Sequence, residues 1–256
     1  MALFIDAPPM DVAAIASHDS GLLETCKILG IDLSSKFALA HSEIALELTL
    51  MLNSLHVHAV PIGTNCILSL DHVALTAPLA AWQVRHTLAL VYGDAYYSQL
   101  NDRYAAKWKE YQTLTRIAKD TFREIGIGIV SDPLARPAAP AIEELPTTTS
   151  DKPYYVSATV LNQSGEESSP STPVTAPSFS EKPITVKPGT TPPNAKFWNV
   201  YIGVDPGRLW RQNDTPLELG SGWPLWYPTI RTGGVPPSNG QEASFHKRLP
   251  RTLQRG

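Results

Sequence analysis

The stretch from Pro78 to Gly126 limits what this chain can become more than any other. It reads PLAAWQVRHTLALVYGDAYYSQLNDRYAAKWKEYQTLTRIAKDTFREIG, and no proline interrupts Leu79 to Ile125. A proline inside a helix removes a backbone donor and clashes with the preceding turn, so its absence leaves the whole stretch free to be helical. In the second half, Tyr104, Trp108, Tyr111, Thr115, Ala118, Phe122 and Ile125 recur in steps of four and three. That spacing puts them on one side of a helix, with Leu114 and Ile117 widening the stripe. Six cationic residues (Arg103, Lys107, Lys109, Arg116, Lys119, Arg123) and four acidic ones (Asp102, Glu110, Asp120, Glu124) take the remaining faces. A continuous helix from Asp102 to Ile125 is about 36 Å long, and Gly126 suits a left-handed stop. Glycine weakens a helix interior, so a bend is expected at Tyr92-Gly93-Asp94. The pattern predicts two long helices, or one kinked helix, with the upstream chain packed against them.

Upstream, Met10 to Leu29 predicts one or two short helices, with Val12, Ile15, Leu22, Leu23, Cys26 and Leu29 apolar and Gly30 as the stop. Asp19 or Ser20 can restart the helix as an N-cap if it breaks near His18. A further helix follows, capped by Asp32 or Ser34. In it Phe37, Ala40, Ile44, Leu48 and Met51 form one apolar flank, and Leu39, Leu46, Leu50 and Leu52 add a second. A helix apolar on two sides packs against two neighbours, in the same chain or in another copy. From Leu55 to Asp71 the pattern alternates around Pro61-Ile62-Gly63, which predicts a short hairpin or extended loop. His56 and His58 would share a strand face there. Without a supporting carboxylate or cysteine cluster they read as two polar positions, not a metal pair.

Proline then changes the class of the chain, because most of its 23 prolines follow Ser131. Residues 131–150, rich in Pro, Ala and Thr, predict an extended linker. From Asp151 the period becomes two. Tyr154, Val156, Ala158 and Val160 alternate with Tyr155, Ser157, Thr159 and Leu161, and a turn follows at Asn162-Gln163-Ser164-Gly165. Ile184–Val186, Phe197–Val204 and Leu209–Gln212 continue the series. Short strands about ten residues apart suggest a small sandwich. The expected fold class is therefore α+β and multidomain: a helical bundle over 1–130, the linker, an all-β sandwich over 151–232, and an extended basic tail over 233–256.

The totals exclude more than they assign. A net charge of −3 does not describe an obvious nucleic-acid or membrane-surface binder. The distribution is uneven: residues 1–100 carry nine acids and three bases, whereas Phe245 to Gly256 carry Lys247, Arg248, Arg251 and Arg255 with no acid. Cys26 and Cys66 make neither a disulfide framework nor a metal site and are expected as free thiols in a reducing compartment. MALFIDAPPMDV lacks a basic n-region and a sustained apolar core, so no signal peptide is expected, and no run is long enough to span a bilayer. There is no GxSxG elbow, phosphate loop, HExxH or paired CxxC. Ser17-His18-Asp19-Ser20 has hydrolase residue types, but sequence neighbours do not form a triad. A non-enzyme without metal or cofactor is expected.

Two stretches carry a family resemblance. YYVSATVLNQSGEESSPS followed by AKFWNVYIGVDPGRLWRQNDTPLELGSGW resembles the fibronectin type III-like or immunoglobulin-like modules of tailed-bacteriophage structural proteins. LAHSEIALELTLMLN through LALVYGDAYYSQLNDRYAAKWKEYQTL resembles the helical body of phage head–tail connector (adaptor) proteins. Together the two cover most of residues 10–230.

The resemblance implies a structural virion protein at the head–tail junction, assembled in the host cytoplasm. It would form a homo-oligomeric ring, dodecameric like portal complexes, dock on the portal protein, and offer a platform to a downstream tail or nozzle protein. Genomic DNA would pass through its lumen without sequence-specific binding. On this reading Tyr96, Tyr97, Tyr104, Trp108 and Tyr111 are candidate ring-interface residues, because aromatics bury much area with few rotors. The same side chains could instead fill the core of a single chain. Lys247, Arg248, Arg251 and Arg255 form a candidate partner-docking tail. The alternative is a tail-fibre or adhesion component that binds host glycans through Trp210, Trp223 or Trp226.

Overall fold

A computed structural model describes residues 2–6, 12–57, 68–99, 102–143, 154–176, 184–225 and 230–249. They belong to two compact units: 7–129 with 243–256, and 130–242 with 1–6. The fold is mixed α+β, with helices and a two-stranded ribbon in the first unit and antiparallel sheets in the second.

The helical unit starts with α1 (Val12–Ala16) and α2 (Leu22–Leu29). The chain breaks between them at Asp19, whose Oδ1 accepts the Gly21 N–H at 3.0 Å. Gly30 ends α2 in the left-handed region at φ 66°. The third helix, α3 (Leu33–Val57), begins where Asp32 Oδ1 accepts the Ser34 N–H at 3.0 Å, satisfying one of the orphan donors of a helix start. Phe37, Ala40, Ile44, Leu48 and Met51 are buried on its inner flank. Its last turn takes in Leu55, His56 and Val57, where a hairpin or loop was expected, because the leucine period runs on to a buried Leu55. His58, Pro61-Ile62-Gly63 and Cys66 lie outside the described residues.

The long stretch forms α4 (Ala77–Gln99) and α5 (Asp102–Ile125). Trp82 meets Phe122 (ring centroids 5.6 Å apart), Tyr92 stacks on Tyr111 (5.5 Å) and Tyr96 stacks on Trp108 (5.6 Å), so the two helices run antiparallel along one aromatic seam. α4 touches α2, α3 and α5, and is buried on several sides, from Leu79 and Trp82 to Tyr92 and Ala95. α4 continues as one helix through Tyr92-Gly93-Asp94, where a bend was expected, and an added Cβ at Gly93 would lie 3.2 Å from Trp108 Nε1, so this glycine serves a close approach between helices.

In the second unit, β3 (Tyr154–Leu161), β4 (Val174–Ala176), β6 (Phe197–Asp205) and β7 (Arg208–Arg211) make one antiparallel sheet in the order β4-β3-β6-β7, and β8 (Leu217–Glu218) also pairs with β6. A second sheet holds β2 (Ala141–Glu143), β5 (Ile184–Lys187) and β9 (Trp223–Leu225). The register sets Val156 opposite Ile202, Ala158 opposite Val200 and Val160 opposite Trp198, and all six are fully buried. Val186 of the second sheet is part of the same core, with Ile142 and Trp223 packed against it. Trp198 keeps its indole N–H bonded to the Glu218 carbonyl at 3.1 Å. The turn after β3 forms as expected, with Asn162 Oδ1 accepting the N–H groups of Ser164 and Glu166.

Residues 131–143 are extended, as proline-rich chain should be, yet they belong to the β unit instead of bridging to it. Leu134 is buried in its core and Ala141–Glu143 pairs with β5. Residues 144–150 lie outside the described residues. The basic stretch after Ser244 also departs from an extended tail. Phe245–Lys247 forms β10, antiparallel to β1 (Ile127–Ile129), and the Ser244 N–H donates to the Ile129 carbonyl at 2.8 Å. Gly126 makes room for this return: its φ is 100°, and a Cβ there would meet the Lys247 carbonyl oxygen at 2.8 Å. The chain therefore leaves the helical unit after β1 and re-enters it at β10, so residues 130–242 form an insertion between two paired strands.

Domains inserted at adjacent chain ends can usually be removed without unfolding their host. Replacing residues 130–244 by Asn-Gly, a two-residue turn that suits such a ribbon, and removing residues 1–6, should leave a helical protein that unfolds cooperatively by far-UV circular dichroism. A product with no cooperative transition would show that the helical unit is not autonomous.

Candidate interaction surfaces

The polar centre of the helical unit is Asp19, in the corner between α1 and α2. Its side chain is 7% exposed. Asp19 Oδ2 accepts from Lys107 Nζ at 2.6 Å, from the Tyr92 hydroxyl at 2.7 Å and from the Tyr111 hydroxyl at 3.1 Å. Lys107 also lies 4.9 Å above the Tyr92 ring. Burial pushes the Asp19 carboxyl up, but the hydrogen bonds from Lys107, Tyr92 and the Gly21 N–H outweigh it and hold the group below 3.8. Burial, together with the same carboxylate, pushes both phenols well above 10. The arrangement ties the α1–α2 corner to α4 and α5. Nothing in Ser17-His18-Asp19-Ser20 announces this, because every partner of Oδ2 lies at least 73 residues away in sequence.

The candidate ring-interface aromatics divide by exposure. Tyr104 and Tyr111 are buried within their own unit, and Tyr96 and Trp108 are half-buried against each other. Tyr97 is 64% exposed, with its ring 5.3 Å from Trp108, edge to face. Beside Tyr97 runs an open groove of about 490 Å³ lined by Leu29, Gly30, Ile31, Lys36, Asp94 and Ser98 among others. Lys36 and Asp94 form an ion pair across it, between α3 and α4. The available part of the aromatic strip is thus its Tyr97 end.

A second apolar surface lies on α3. Its inner flank is consumed by the core, and of the second flank only Leu52 is buried. Leu39, Leu46 and Leu50 are 42%, 64% and 61% exposed. Along one border α3 is fastened to the rest of the unit by polar pairs: Lys36 with Asp94, Glu43 with His86 at 2.6 Å, and Glu47 with Lys119. His41 and Gln83 meet at 3.0 Å between the same helices, and burial lowers the His41 imidazole below 6.5.

The remaining candidates are less concentrated. Lys247 and Arg248 are exposed, with the Lys247 backbone held in β10, and Arg251 and Arg255 lie outside the described residues. Trp223 packs against the core of the β unit, Trp210 is half-buried on β7, and Trp226 lies outside the described residues. Cys26 is a free, buried thiol whose pKa is raised by burial. Among the described residues no group of three or more His, Cys, Asp or Glu could hold a metal ion, and no helix is long and apolar enough to cross a membrane. No protein-family model matches the chain, and no curated protein matches it.

Asp19→Asn should cost about 1–3 kcal/mol in urea unfolding, since it removes the charge that three donors converge on. A depressed folded-state pKa gives stability that is complete above the unfolded value and is lost as pH falls through the folded one. The native chain should therefore lose this contribution below pH 3.8, and the Asp19→Asn variant should show a flatter acid limb. Identical acid limbs would remove Asp19 from the role of lock.

Proposed function

We propose that this chain is a structural virion component, a head-to-tail adaptor that joins portal and tail as a ring of identical copies. The observation that carries the proposal is the second flank of α3: a 25-residue helix whose inner leucines are buried while Leu39, Leu46 and Leu50 stay open. Three exposed leucines on one line of a helix, broken only by Glu43, are a partner-binding feature. The connector resemblance of the same helices supplies the partner, another copy of the chain. Portal complexes are dodecameric, so a twelve-membered ring is the expected assembly. The portal on one side, a downstream tail or nozzle protein on the other, and DNA passing unread through the lumen complete the reading.

On this view the helices form a compact bundle that oligomerises. The inserted β unit is a sandwich of the fibronectin type III or immunoglobulin type. Supporting that, residues of two antiparallel sheets pack around Val156, Val160 and Trp198 as one core. The inserted unit then faces capsid or tail neighbours, while Lys247 and Arg248, with Arg251 and Arg255 beyond them, act as a basic docking segment toward the portal. A tail-fibre role through Trp210, Trp223 and Trp226 gains less support, because Trp223 is engaged in packing its own unit.

Two measurements test the adaptor. Imaging of the particle's neck with a tagged chain should place the tag at the vertex through which DNA leaves, and its absence there would overturn the role. Leu46→Glu with Leu50→Glu should abolish ring formation in native mass spectrometry while changing monomer stability by only about 0.5 kcal/mol per site, as surface substitutions do. Rings surviving that double change would remove the leucine flank from the interface. Tight, salt-sensitive binding of DNA to the isolated ring would count against an unread lumen.

A further inference from the structure

The open flank of α3 calls for a counterpart, and the same unit carries one of opposite character. On the outward side of α5, Lys109, Arg116 and Arg123 recur every seven residues and are all exposed. Heptad spacing drifts only about 20° per step, so the three cations share one line. Between Lys109 and Arg123 that side carries a single acid, Asp120. Ile117 lies beside the line and is 49% exposed. The line is about 21 Å long, against about 16 Å for Leu39 to Leu50.

The charged neighbours of the leucine flank are Lys36, which is mostly covered beside Asp94, and the acids Glu43 and Glu47, which remain more exposed beside their partners His86 and Lys119. Two α3 flanks meeting face to face would bring acids together. An α3 flank meeting the outward side of α5 would bring acids to cations and leucines to Ile117. We infer that the leucine flank of α3 in one copy packs on the outward side of α5 in the next, with Leu46 against Ile117 and Glu43 within reach of Arg116. The contact joins two different surfaces, so it repeats in one direction and can close into a ring. This inference rests on the adaptor reading and adds to it the two faces that meet.

The test uses the full chain with Cys26→Ala and Cys66→Ala, carrying either Leu46→Cys or Ile117→Cys. Under mild oxidation a mixture of the two variants should give disulfide-linked pairs, and neither alone should. Linkage of the Leu46→Cys chain to itself would overturn the inference in favour of a two-fold contact. Failure to link, whether in rings or in a chain that stays monomeric, would also overturn it. Neither failure touches the neck-imaging result, on which the adaptor reading itself depends. In chains without the added cysteines, Arg116→Glu should raise the concentration at which half the protein assembles about tenfold, and Glu43→Lys added to it should restore assembly. A double variant no better than Arg116→Glu alone would separate these two residues and overturn the assigned pairing.

Discussion

Every other feature of the helical unit depends on the aromatic seam between α4 and α5. Trp82 on Phe122, Tyr92 on Tyr111 and Tyr96 on Trp108 are three rungs of one ladder, and together they fix the register of two antiparallel helices. Ring pairs of this kind contribute about 0.5–1.5 kcal/mol each beyond the area they bury. Their larger effect is on specificity, because sliding one helix by a turn would separate all three at once. The Asp19 carboxylate then reads that register: only with Tyr92 beside Tyr111 do both hydroxyls and Lys107 reach one oxygen. An interior charge is costly unless fully partnered, so the α1–α2 corner closes properly only over a correctly aligned pair of helices.

Much of this was legible from the sequence. The three-and-four spacing of α5 named Tyr104, Trp108, Tyr111, Thr115, Ala118, Phe122 and Ile125; Tyr104, Tyr111, Ala118 and Phe122 are buried, Trp108 and Thr115 half-buried, and Ile125, in the last turn, is exposed. Gly30 and Asp32 announced a stop and a start because each acts on its own nearest backbone. The alternation in Tyr154–Leu161 and the Asn162 turn are equally local. The features that escaped are those decided at long range. Gly93 looked like a weak point, but its use is to admit Trp108 from another helix. Phe245–Lys247 looked like loose basic chain because nothing near it in sequence tells of β1, more than 100 residues earlier. Ala141–Glu143, in a proline-rich context, became a strand only because β5 offered an edge. The candidate surface was half legible: the second flank of α3 was visible as a pattern, and its exposure depended on where the other helices went.

The serines after β3 show how a polar, proline-punctuated sequence can still complete a sheet. Pro170 has no N–H to give, and the segment around it cannot run as a regular strand. Instead the Ser168 and Ser171 hydroxyls accept from the N–H groups of Val160 and Ala158, at 3.1 Å and 3.0 Å. Their own N–H groups donate to the carbonyls of the same two residues. The edge of β3 is thereby satisfied before β4 begins, which leaves a short and interrupted strand where a long open edge would invite unwanted pairing. On the reverse of the same sheet, Glu167 accepts from Thr159, Asn199 and Tyr201, so a polar layer is buried with its partners in place.

The connection between the two units follows the same economy of edges. β1 and β10 carry the chain out and back as neighbours, and β1 is also bonded on its other side, where the Ala74 N–H donates to Gly128. β1 and β10 both lie in the helical unit, so their backbone hydrogen bonds hold the two chain ends that flank the insertion side by side. The seam and the Asp19 lock lie wholly within the helical unit, so changes of sequence inside the insertion leave their contacts untouched.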